Sequence, residues 1–178
     1  ISISLLEGGG GFGISFGILG GGFVYSELLP NNKGYNPLPP LIVGVFMKIE
    51  VSIGISIKKI PKYAFYGSVI KEVHLHQDIN LIDEGAFAES NIKINIQELS
   101  NLKAIGDGAF YRSRGLIIYL PQTLETIGSY AFANMYNDIK SIVIPNSVTS
   151  IGESCFEYCN NLVSISIPKR VTSISRSC

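Results

Sequence analysis

A small residue followed by phenylalanine returns five times along the chain, at Ala64-Phe65, Ala86-Phe87, Ala109-Phe110, Ala131-Phe132 and Cys155-Phe156, so the ring recurs at a nearly constant period. Self-similarity of this kind marks a repeat architecture: one unit is too small to bury its own apolar face, so neighbouring units must stack to make a core. The agreement reaches beyond the ring. Ile60, Ile82, Ile105, Ile127 and Ile151 each stand five residues before a phenylalanine, and Ile57, Ile79, Leu102, Leu124 and Val148 stand three residues earlier still. A sixth partial copy holds Val171, Ile174 and Cys178, so the chain reads as truncated in mid-repeat, with an uncapped end where fraying and edge association are expected.

Upstream of each block lies an apolar alternation, clearest as Ile118-Tyr119-Leu120-Pro121, Ile142-Val143-Ile144-Pro145 and Ile165-Ser166-Ile167-Pro168. Val51-Ser52-Ile53-Gly54 and Val73-His74-Leu75-His76 keep the alternation without the proline, and Ile92-Lys93-Ile94-Asn95-Ile96 is shifted in register. A period of two predicts a half-buried strand, and proline, lacking an N–H, ends it at a corner. The separation from that corner to the phenylalanine never changes, Pro121 to Phe132 matching Pro145 to Phe156, so length variation falls on one side of each coil. The reading is a β-rich solenoid of 22–24-residue coils with a parallel sheet on its strand face. Phenylalanine fills the interior, and Ala or Cys before it lets coils approach. Gly106, Gly128 and Gly152 are expected to supply a backbone position of positive φ.

Composition agrees with this class. Of 178 residues, 46% are hydrophobic and 16% charged, too apolar for a disordered chain. Ile outnumbers Leu 27 to 15, which favours strands over helices. Lys+Arg and Asp+Glu balance at 14 each, leaving no basic footprint for nucleic acid. From Ile1 to Ile57 the only charges are Glu7, Glu27, Lys33, Lys48 and Glu50, and Gly8 to Ser26 is an uncharged run with nine glycines. Nine glycines weaken an isolated helix by about 9 kcal/mol, against roughly 2 to 4 kcal/mol of insertion from its apolar side chains. An irregular or strand-forming segment is therefore expected over a membrane helix, with membrane association left open. Residues 1–40 are read as a Gly/Pro-rich segment, with a turn-dense loop from Pro30 to Pro40, and residues 41–178 as the solenoid.

Little in the sequence carries chemistry. His74 and His76 are two apart, but two ligands do not make a metal site, and both read as solvated. A Ser68/His74/Asp78 relay can be drawn without any nucleophile-elbow motif to support it. Gly8, Gly10 and Gly13 match the dinucleotide fingerprint formally, yet glycines at 20 to 22 leave no helix for a pyrophosphate. Lys58, Lys59, Lys62 and the pair Arg112 and Arg114 read as solvated faces. Cys155 and Cys178 occupy equivalent positions on adjacent coils, within reach of disulfide distance; the alternative is that they merely replace the small alanine. No enzyme, cofactor, metal or small-molecule substrate is expected.

The run Pro145, Val148, Ile151, Gly152, Phe156, Cys159, Leu162, Ile165 and Ile167 resembles the BspA-type (Treponema-pallidum-type) leucine-rich repeat, over roughly residues 50 to 178. Gly54, His76 and Leu99 depart from it by replacing the proline. The resemblance implies a curved leucine-rich-repeat solenoid of the kind found in surface antigens, with Cys159 as a buried core cysteine. It also implies a non-catalytic protein-binding module, a cell-surface antigen or adhesin that takes a protein or extracellular-matrix ligand. The outward strand residues Ser52, His74, Tyr119, Val143 and Ser166 form the candidate binding face, with Tyr119 as its anchor. The alternative is an intracellular, cytoplasmic scaffold repeat or a fragment without its own partner.

Overall fold

The computed structural model describes the backbone of residues 2–8, 11–17, 26–29 and 50–53, and backbone and side chains of 58–68, 72–114, 119–135, 139–175 and 177–178. Ile57, Ile118 and the Pro30–Pro40 loop lie outside the described residues. The strands are short. They run β1 (Ser2–Gly8), β2 (Gly11–Gly17), β3 (Ser26–Leu29), β4 (Glu50–Ile53), β5 (Lys59–Ile60), β6 (Glu72–His74) and β7 (Leu81–Ile82). After a 3-10 turn at Ile96–Glu98 come β8 (Ala104–Ile105), β9 (Thr126–Ile127), β10 (Ser141–Val143), β11 (Ser150–Ile151) and β12 (Ser164–Ser166).

Two rows of parallel pairing follow from the repeat. The isoleucines five residues before each ring form an in-register ladder, Ile60 beside Ile82, Ile105, Ile127 and Ile151, in the five-stranded sheet β5-β7-β8-β9-β11. The alternating strands make the second row: β4 pairs with β6, β10 with β12, and Glu72 bridges Lys93. The shifted third copy keeps its alternation, with Ile92, Ile94 and Ile96 buried and Lys93 and Asn95 exposed. At the other end, β1 pairs in parallel with β4 and antiparallel with β2, which pairs with β3. Part of the glycine-rich run is thus strand. Gly8 faces Gly11 at a hairpin and Gly13 lies within β2, so the formal dinucleotide fingerprint bends into a strand and opens no helix. Among the described residues, no helix is long and apolar enough to cross a membrane.

Inside the coils the five phenylalanines form one column. Phe65, Phe87, Phe110, Phe132 and Phe156 stack with centroids 5.0, 5.5, 5.5 and 5.6 Å apart and ring planes within 5° of parallel. All are at most 6% exposed, and Ile79, Leu102, Leu124 and Val148 are wholly buried beside them. The corner is buried too: Pro121, Pro145, Pro168 and the substituting Leu99 lie in the interior, and among the described corner residues only His76 is half-buried.

The turn around each ring carries a third set of inter-coil bonds. In coil after coil, the N–H two before the ring, at the ring and two after it donates to a carbonyl of the following coil, as Phe65 to Ala86, Phe87 to Ala109, Phe110 to Ala131 and Phe132 to Cys155. The carbonyl that accepts and the N–H that donates onward belong to the same peptide unit, so three unbroken rows of hydrogen-bonded peptides run along the solenoid. Residues on both sides of the ring adopt left-handed backbone to aim these groups: Tyr63, Gly85, Gly108, Tyr130 and Ser154 before it, and Gly67, Glu89, Arg112, Asn134 and Tyr158 after it.

This corrects the expectation for Gly106, Gly128 and Gly152. None of the three has positive φ; a Cβ there would lie 2.7, 2.5 and 2.2 Å from atoms of the preceding coil, backbone in the first and last case. Glycine is required by close approach, and the left-handed positions are filled mostly by other residues.

Candidate functional site

On the outward side of the alternating strands, every second side chain leaves the core. The register sets Ser52 beside His74 and Val143 beside Ser166, two of the expected neighbours at each end of the face. Strand spacing puts such partners about 4.8 Å apart. The Ser52 side chain lies outside the described residues. His74 and Ser166 are exposed, Val143 is 68% exposed and Tyr119 is 63% exposed. Tyr119 stands outside the described strands, and no described pairing ties it to either couple.

The third coil adds residues that the five expected positions leave out. Lys93 and Asn95 are exposed on the same side, because the run Ile92, Ile94, Ile96 points inward. With Glu72, His74 and Glu98 they line an open cleft of about 300 Å³ floored by Val73 and Ile94. Asn95 builds one wall: its Nδ2 donates to Glu98 Oε1 at 2.8 Å, and its Oδ1 accepts from the Gln97 N–H at 3.2 Å. Glu72 Oε1 lies 4.0 Å from His74 Nε2. The cleft offers two carboxylates, an imidazole, an amide and an ammonium to a polar partner. The alternation at 92–96 was the signal for Lys93 and Asn95, and aligning on the proline corner passed it over.

The structure separates the drawn relay. Asp78 lies 4.0 Å from His76 and accepts from Asn101 Nδ2 at 3.4 Å, whereas His74 faces Glu72. His76 is not the solvated histidine the corner position suggested: its side chain is 17% exposed, and its Nδ1 accepts from the Asp78 N–H. Among the described residues no group of three His, Cys, Asp or Glu could hold a metal ion. Cations of the expected solvated faces meet carboxylates of a neighbouring coil: Lys59 with Asp83 at 3.5 Å, Lys62 with Glu84 at 2.7 Å and Arg112 with Glu89 at 3.7 Å. Arg112 also sits over the Tyr111 ring.

The model of the BspA type leucine rich repeat region matches residues 47–137 and 93–178, in six copies. The chain belongs to the BspA-type leucine-rich-repeat family. Leucine-rich-repeat families are in general non-enzymatic protein-interaction modules. Among solved structures, the chain is similar to the pneumococcal vaccine antigen PcpA, with 24% identity over 79% of this chain and a TM-score of 0.56. It is also similar to the T. pallidum leucine rich repeat protein TpLRR, with 24% identity over 67% of this chain and 70% of that one and a TM-score of 0.53. The chain spans 35% of the PcpA chain. These likenesses show the leucine-rich-repeat fold. No curated protein matches the chain in sequence.

Proposed function

We propose that this BspA-type solenoid is a non-catalytic binding module that takes a protein or extracellular-matrix ligand on its strand face, at the cell surface or outside the cell. The observation that carries the reading is the exposure of two large side chains over a closed core, Val143 at an outward strand position and Tyr119 just outside the described strands. Exposed aromatic residues of this kind anchor interfaces. Ser52, His74 and Ser166 continue the face, and the cleft between His74 and Lys93 supplies polar complementarity at its rim. Within this reading residues 1–40 are an appendage of the solenoid of 41–178, joined to it by the pairing of β1 with β4.

The test has two parts. Purified chain is titrated onto immobilised fibronectin, laminin and collagen, and source cells are stained with an antibody to the repeats before and after permeabilisation. Saturable binding and staining of intact cells support the reading. Staining only after permeabilisation, with no binding to any of the three, would leave the intracellular scaffold as the better account.

A further inference from the structure

We propose that Cys155 and Cys178 are an oxidation site, a thiol pair that closes into a disulfide between adjacent coils. The argument begins with register. β10 and β12 pair Ser141 with Ser164 through Val143 with Ser166, and the same offset in sequence carries Cys155 onto Cys178. The turn geometry repeats with it, since Ser154 and Ser177, each preceding a cysteine, are both left-handed at φ 51° and 60°. In the coils that precede it, the ring next to this position recurs every 5.0 to 5.6 Å. That lies inside the roughly 4.4–6.8 Å between Cα atoms that a disulfide spans.

The chemistry of the two thiols is complementary. They are free and hydrogen-bonded to one another. Cys178 is exposed and also accepts from the backbone N–H groups of Cys155 and Phe156, and its pKa is lowered to about 6. Burial of Cys155 holds its thiol well above the ordinary range. Cys178 is therefore the attacking thiolate and Cys155 the resolving thiol. The third cysteine is otherwise engaged: the Cys159 thiol donates to the Phe132 carbonyl at 3.1 Å.

The oxidant is a low-molecular-weight disulfide such as oxidised glutathione. The Cys178 thiolate attacks one of its sulfurs, breaking the S–S bond and releasing a glutathione thiolate. Cys155 then gives its proton to that thiolate or to water and attacks Cys178 Sγ, expelling the second glutathione as a thiolate, which takes from water the proton that Cys178 had released there. Two protein thiols are oxidised and one small disulfide is reduced to two thiols.

To test this, the reduced chain is incubated with oxidised glutathione in native buffer, quenched with acid, and alkylated in denaturant for peptide mass spectrometry. Closure leaves one alkylated cysteine, Cys159, where the reduced chain has three. The Cys155→Ala variant restores the alanine that the earlier coils carry and so keeps the fold; it is expected to stop as a glutathione adduct on Cys178. Cys178→Ser is expected to take up no glutathione. A persistent adduct on Cys178 of the parent chain, or a link from Cys155 to Cys159, would overturn the proposal.

Discussion

The hydroxyl of Tyr63 donates to Glu84 Oε1 at 2.5 Å, tying one coil to the next. Lys62 Nζ meets the other oxygen of the same carboxylate at 2.7 Å. The hydrogen bond from Lys62, then that from Tyr63, hold the Glu84 carboxyl below its ordinary value of 4.5 against the opposing pull of burial. A group with a depressed folded pKa contributes stability above its unfolded pKa and loses it as pH falls through the folded value. Below about pH 4.5 the first coil is therefore expected to loosen in step with Glu84 protonation. The pair is exposed, so the effect is modest. Glu84→Gln is expected to flatten the acid limb of an unfolding-midpoint profile; an unchanged limb would remove Glu84 from the account.

Phe132 lies wholly buried between Phe110 and Phe156, with centroids 5.5 and 5.6 Å away. Phe132→Ala is expected to cost about 3–5 kcal/mol through the cavity it leaves in the column. Chemical denaturation checks this, and a loss below about 1 kcal/mol would show that the column does not hold the coils together.

The two kinds of glycine should behave differently. A Cβ on Gly152 would sit 2.2 Å from the Ser129 nitrogen and 2.5 Å from the Gly128 carbonyl carbon, so Gly152→Ala forces neighbouring coils apart. Overpacking of this kind costs about 1–3 kcal/mol. Gly67, at φ +60° with nothing within 4 Å, should lose only the left-handed penalty of about 1–2 kcal/mol. Denaturation midpoints of both variants decide it. If Gly67→Ala proved much the more damaging, close approach would not be the reason for Gly152.

Tyr119→Ala separates binding from folding. The ring is 63% exposed, so its loss is expected to move stability by less than about 0.5 kcal/mol. An anchor residue removed from an interface costs about 2 kcal/mol or more, roughly thirtyfold in affinity. Unchanged affinity for a ligand found on the matrix panel would show that the strand face is the wrong surface.

The repeat was legible because its period leaves few alternatives. Ile60, Ile82 and Phe132 fell into the interior, as aliphatic positions recurring coil after coil and stacked rings require. Less was legible where two physical demands leave the same residue behind. Glycine answers both positive φ and close approach, and only the neighbouring coil, through Asp107 and Gly106, reveals that Gly128 serves the second. His76 took its surface reading from the corner position, yet that corner is buried when occupied by Leu99 or Pro121. Lys93 and Asn95 escaped notice because a shifted copy was aligned on its end instead of on its alternation. Between Ile1 and Pro30 only Glu7 and Glu27 are charged, too few to mark an inside and an outside, so sequence alone could not register β1 against β4.

The three rows of peptides that cross the phenylalanine turns all point the same way. Each N–H faces the later coil and each carbonyl the earlier one, so their dipoles add along the axis much as they do in an α-helix. Other rows run the opposite way, as from the Asp83 N–H to the Ile60 carbonyl and from the Gly106 N–H to the Ile82 carbonyl, so the polarity belongs to the turns, where the N–H groups of Ser154, Phe156 and Tyr158 turn partial positive charge toward the later coil. A thiolate at Cys178 meets that charge through the Phe156 N–H. Two such stacks cannot pair these rows head to head, where donor would meet donor. Copies joined axially through these turns would run head to tail, the heterologous arrangement that builds rings or open filaments and not two-fold pairs.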